Sequence, residues 1–194
     1  MLQVILDVET KQTFGDVGGF FPDRLGVSFV GASVRTRFGE KGEMYSFFEN
    51  DLDKLFPLLE KADVLVGYNI DGFDIPALAP YYTGNIESFP TLDLMDRIKD
   101  SFGHRIKLDS VAKETLGKGK IGDGLDAIEY YRTNQLEKLE KYCLQDVIVT
   151  RDIYDYGFKN GKVSFRNKWS RLIECQVDFS FTPKKDAGVQ MALI

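Results

Sequence analysis

Three segments of strand character fill the first quarter of the chain, and beyond them strand-like and helix-like segments alternate. Residues 2–7 (LQVILD), 25–34 (LGVSFVGASV) and 43–48 (EMYSFF) are short aliphatic and aromatic runs that suit a pleated, half-buried surface. Residues 51–62 carry Leu52, Leu55, Phe56, Leu58 and Leu59 at helical spacing, with Pro57 against regular first turns. A strand over 62–69 follows, then a short helix over 72–82 limited by Pro76 and Pro80, a strand over 89–95 and a helix over 107–117 closed by Gly117. The strongest helix pattern spans 134–156, with Asn134 as N-cap, Glu137 at the third helical position, and Leu136, Leu139, Cys143, Val147 and Ile153 at core spacing. After Gly157, residues 162–165 and 171–179 read as a closing hairpin. Strands first and alternation second predict an α/β domain with a mixed sheet, its antiparallel part preceding parallel crossovers.

Composition narrows the class. With 194 residues, 43% hydrophobic, and 15 Phe, 9 Tyr and 1 Trp spread throughout, the chain can bury a sizeable core, and one domain over 1–194 is expected. No apolar run approaches the roughly 20 residues of a membrane span. The first ten residues lack a basic n-region and include Asp7 and Glu9, so they do not read as a secretory signal, and a cytoplasmic location with no membrane partner is expected. Cys143 and Cys175 lack metal-ligand spacing and are read as reduced, partly buried thiols without a functional message. The net charge of −5 gives no general affinity for nucleic acid. One stretch, 159–171, holds Lys159, Lys162, Arg166, Lys168 and Arg171 around Phe165 and Trp169 without an acid. It fits a phosphate-tracking surface and a solvated hairpin equally well.

Asp7 and Glu9 stand two apart at the end of an extended run, so strand alternation points both carboxylates to one face. Two adjacent anions call for a cation, and an all-oxygen pair selects a hard divalent ion, Mg²⁺ or Mn²⁺. A D-x-E pair is expected about once by chance in a chain this acidic, so the pair alone also fits a solvated strand end. A second element, GYNIDGFDIPAL, ends a strand at Asn69 and opens a helix with Asp74 beside Phe73. A third, YCLQD, sets Tyr142 and Asp146 on one face of the long helix. The loop over 10–24 (TKQTFGDVGGFFPDR) is an irregular excursion beside the end of the first strand, where it could line a site.

In that order and context, D-x-E, NIDGFD and Y-x-x-x-D resemble the three motifs of the DEDD superfamily of 3′-to-5′ exonucleases, in its tyrosine branch (DEDDy). Position 141, where the histidine branch needs His, holds Lys141. GYNIDGFDIPAL is especially similar to the proofreading domain of family B DNA polymerases, and 10–28 and 107–117 look like stand-alone exonucleases related to it. The resemblance implies an RNase H-like fold: a mixed five-stranded sheet flanked by helices, with a C-terminal β-hairpin. It implies two divalent cations, Asp7, Glu9 and Asp146 holding one, and Asp7 bridging to a second that Asp74 helps hold. Tyr142 would orient the attacking water, and Thr10, Asn69 and Phe73 would meet the nucleic acid. The implied activity is hydrolysis at 3′ ends of single-stranded nucleic acid, DNA favoured, releasing nucleoside 5′-monophosphates, with replication or repair proteins as partners. Action on RNA, as an exoribonuclease or an RNase H-type nuclease, and a catalytically weak binding module are the alternative readings. Discounting the four carboxylates takes the net charge from −5 to −1, so acidity is no objection.

Other polar residues read blandly. His104, with Arg97, Lys99, Arg105 and Lys107 around it, lies in a polar loop. Lys118 and Lys120 lack P-loop spacing, and Asp71, Asp93 and Asp96 read as turn or cap residues.

Overall fold

The computed structural model describes residues 1–118 and 124–182. A five-stranded mixed sheet has the order β3-β2-β1-β4-β5, built from β1 (Gln3–Thr10), β2 (Val27–Arg35), β3 (Glu43–Phe48), β4 (Val64–Gly67) and β5 (Thr91–Asp93). The first three strands are antiparallel neighbours, and β4 and β5 run parallel to β1. This is the RNase H-like α/β architecture expected from the sequence, completed by a separate hairpin of β6 (Lys162–Arg166) and β7 (Leu172–Gln176).

Strand alternation sorts the core into two layers. Val4, Leu6 and Val8 of β1 join Leu65 of β4 on the face covered by α1 (Leu52–Lys61) and α2 (Asp74–Leu78). Leu52, Leu55, Phe56 and Leu59 form the buried stripe of α1. At about 1.5–3 kcal/mol per buried large side chain, that stripe holds a helix too short to stand alone in water. Ile5, Val64 and Val66 point to the other face, under α6 (Leu136–Asn160), α4 (Leu108–Leu116) and the hairpin. No helix of the described residues is long and apolar enough to cross a membrane.

Two helices lie where the sequence reading has none, α3 (Leu94–Phe102) and α5 (Gly124–Arg132). Asp93 accepts from the main-chain N–H groups of Met95 and Asp96 and so caps α3, the cap role read for it. Arg97 and Lys99, two of the basic residues around His104, therefore sit on a helix. The expected cap at Asn134 is also corrected. Asn134 adopts a left-handed backbone (φ 57°), its N–H donates to Tyr131 O and the N–H of Gln135 to Tyr130 O. That pairing closes α5 as a Schellman motif, and α6 starts after Gln135. The helix also runs past Gly157 to Asn160. A Cβ on Gly157 would lie 2.3 Å from Cε2 of Phe179, so this glycine serves close packing inside the helix and does not end it.

Candidate active site

The register of β1 against β2 sets the floor of a cleft. Asp7 lies opposite Gly31 and Glu9 opposite Phe29, after which the register slips so that Thr10 faces Val27 and Ser28 is the extra residue of a bulge. Asp7 and Glu9 point to the face that carries α6, as strand alternation predicts. Gly31 has no side chain where α6 crosses: a Cβ there would meet Cys143 Sγ and Val147 Cγ2 at 3.1 Å and Leu144 Cδ2 at 3.2 Å. The helix is therefore seated hard against the sheet. Tyr142 and Asp146, one turn apart, come down beside Asp7 and Glu9 with 4% and 3% of their surface exposed.

Asp74 reaches the same strand from the other side. Beyond Ile5, β1 has lost its partner β4, and the free edge there is taken by the Asp74 carboxylate, whose Oδ1 accepts from the N–H of Val8 at 2.9 Å. Asp74 is thus fixed to the main chain between Asp7 and Glu9. The end of β4 opens a crevice beside the carboxyl end of β1, the usual place for ligands in such sheets.

A cavity of about 310 Å³ is lined by Asp7, Glu9, Thr10, Phe73, Tyr142 and Asp146, together with Gln12, Thr13 and Phe14 of the loop after β1 and Leu125 and Ile128 of α5. Among the residues read from the sequence, Asn69 and Asp74 are not in this lining, and Asp74 is buried behind it against Val8. The Asn69 backbone is left-handed (φ 72°), its O accepts from the N–H groups of Gly72 and Phe73, and its N–H donates to Asp93. Asn69 turns the chain ahead of Phe73, which lines the cleft, and Asp74, which is buried on the main chain of β1. The loop over 10–24 does line the site. Phe14 stacks on Phe20 at 4.6 Å and meets Phe73 edge-on at 6.1 Å.

Negative charge is concentrated here. Burial, and then the neighbouring Asp7, push the Asp74 carboxyl well above the carboxylate range. Burial, and then Asp146, Glu9 and Asp7, push the Tyr142 phenol far up, so it stays a neutral donor. Donor atoms of Asp7, Glu9 and Cys143 fall within 4.8 Å of one another. A buried set dominated by carboxylate oxygens fits a hard divalent cation, which would relieve the repulsion that raises these groups. Cys143 departs from the sequence reading: the thiol is fully buried and lies on Asp7. Its place at core spacing was visible, but nothing in the sequence puts it opposite Gly31. The basic stretch also separates. Phe165 is core, Arg166 and Lys162 are paired with Glu114 and Glu174, and Trp169 is 68% exposed at the hairpin tip.

A family model, the RNase H superfamily, matches residues 4–157. The chain belongs to the RNase H superfamily. No curated protein matches its sequence. Among solved structures, this RNase H superfamily chain is similar to the family B DNA polymerase of the archaeon Pyrobaculum calidifontis, with a TM-score of 0.59 and 21% identity over 82% of this chain. It spans 24% of that polymerase. Escherichia coli Exonuclease I in complex with a dT13 oligonucleotide matches with a TM-score of 0.49 and 13% identity over 82% of this chain and 41% of its own. The polymerase likeness shows the fold.

Proposed function

We propose that the chain is a metal-dependent 3′-to-5′ exonuclease of the DEDD kind, tyrosine branch, acting as one domain on single-stranded ends, DNA favoured. The observation that carries this reading is the convergence of Asp7, Glu9, Tyr142 and Asp146 on one cleft, with Asp74 bound to the main chain between the first two. The fold shared with a DNA polymerase and the order of the three motifs support it. Asp7, Glu9 and Asp146 would hold one divalent cation, Mg²⁺ or Mn²⁺, and Asp7 and Asp74 a second. Such a pair supplies positive charge to the attacking and leaving oxygens of an in-line displacement at phosphorus. Tyr142, a neutral phenol beside Asp146, orients the attacking water as a hydrogen-bond partner rather than as a base. Phe73 and Phe14 offer ring faces and edges to unstacked bases, and the cleft accommodates a splayed terminal nucleotide more readily than a paired end. Thr10 adds a main-chain contact at the strand end.

Digestion of 5′-labelled single-stranded DNA and RNA with Mg²⁺ or Mn²⁺ tests the reading. A descending ladder on DNA, abolished by EDTA and by Asp7→Ala, is expected. Internal cuts, or a ladder that survives Asp7→Ala, would contradict it.

A further inference from the structure

We propose that Cys143 is a positioning residue for this site: its thiol holds the Asp7 carboxylate in the orientation from which Asp7 and Glu9 grip a cation together. The inference rests on the cation-binding reading of Asp7. Cys143 Sγ lies 3.3 Å from the main-chain O of Asp7 and 3.5 Å from its Oδ2. Behind the sulfur stands the Gly31 backbone of β2, where even a methyl group would come within 3.1 Å of Sγ. The side chain is fully buried, so the sulfur is confined between β2 and Asp7.

A thiol is protonated at neutral pH, and both oxygens before it are acceptors. Of the two, the charged Oδ2 is the stronger acceptor, so the S–H is assigned to the Asp7 carboxylate. The terminal torsion of an aspartate is soft, so a carboxylate at a strand end needs a neighbour to fix its plane. A thiol suits the task because it is a weak, neutral donor. It restrains Oδ2 without cancelling the charge that the cation needs, as an ammonium group would, and it leaves the other lone pairs of the carboxylate for the ion. Its seat on α6 next to Tyr142 also means that one helix sets both the phenol and the orientation of Asp7.

The test is calorimetric titration of Mn²⁺ into substrate-free protein, comparing wild type, Cys143→Ser, Cys143→Ala and Asp7→Asn, with thermal melts of each. Cys143→Ala should weaken Mn²⁺ binding about three- to tenfold, the effect of one lost neutral hydrogen bond. Cys143→Ser keeps a donor and should stay within about twofold of wild type. Unchanged affinity in Cys143→Ala, or an equal loss in Cys143→Ser, overturns the proposal, because the effect would then not follow the donor. Wild type that fails to bind Mn²⁺, or Asp7→Asn that binds as well as wild type, overturns the site reading beneath it. Should Cys143→Ala fail to fold, infrared spectroscopy of the S–H stretch replaces it. The band removed by Cys143→Ser should shift in Asp7→Asn, and a band that does not move refutes the contact.

Discussion

The floor of the cleft and its rim are made of different structure. Asp7, Glu9, Tyr142 and Asp146 stand on β1 and α6, the central strand and the longest helix, with Tyr142 and Asp146 almost wholly buried. Phe14, Phe20 and Leu125 come from the loop after β1 and from the short helix α5, and Phe20 and Leu125 are 61% and 63% exposed. The residues proposed for chemistry sit on elements held by the core, and those proposed for substrate contact sit on a surface loop and a short helix. The contrast predicts that disturbing the floor changes turnover, whereas disturbing the rim changes substrate binding.

Outside the carboxylate set, the largest effect should come from a residue that never touches substrate. Gly31→Val wedges two methyl groups between β2 and α6 and lifts Tyr142 and Asp146 off Asp7. Misplacement of about 1 Å costs on the order of 10²-fold in kcat, and overpacking costs about 1–3 kcal/mol of stability, to be read by single-turnover kinetics alongside denaturant melts. Phe14→Ala, on the rim, should raise KM about tenfold, the loss of one base–aromatic contact, while kcat stays within about twofold.

A smaller effect concerns stability. Because burial raises the Asp74 carboxyl above its unfolded value, the folded protein binds a proton that the unfolded chain releases. Stability without metal therefore falls as pH climbs above about 4, the unfolded carboxylate range. In EDTA at pH 7.5, Asp74→Asn should melt higher than wild type by about 3 °C, a gain that fades near pH 4 while nuclease activity is lost at every pH. The smallest effect is at the rim. Asp16 is held down at about 2 by the main-chain N–H of Thr13 and then by Arg132 of α5, an exposed link between the two walls of the cleft. It should persist down to about pH 4 and disappear toward pH 2. Asp16→Asn at neutral pH should raise KM by less than about threefold, measurable as initial rates on a single-stranded oligonucleotide.

The faces taken by the floor residues were legible in the sequence, as was the place of the loop over 10–24 on the rim, whereas helix α5 was not. Alternation in β1 and the four-residue spacing of Tyr142 and Asp146 fix which face each side chain takes, and both are local properties. Asp74 was placed at its helix start, but its bond to Val8 depends on the β1–β4 pairing ending at Ile5, three residues short of that point, a matter of tertiary pairing. Gly31 and Cys143 meet only because β2 and α6 cross there. Helix α5 escaped because its pattern is short and polar, and Asn134 was misassigned because a residue that closes one helix two residues before the next looks like an N-cap. Helix α3 carried a readable stripe in Leu94, Met95, Ile98 and Phe102, shortened by the polar residues between them.

A second acidic group supplies an internal control. Asp71, Asp93 and Asp96 also bring donor atoms within 4.8 Å of one another, but the Asp93 carboxylate is already engaged by the N–H groups of Asn69, Asp71, Met95 and Asp96. Its role is structural, fastening the turn after β4 to the start of α3. Diffraction from crystals soaked in Mn²⁺, collected for anomalous scattering, tests the central claim most directly. The account predicts a peak in the cleft bounded by Asp7, Glu9 and Asp146 and none at Asp93. A peak at Asp93 with the cleft empty would contradict it.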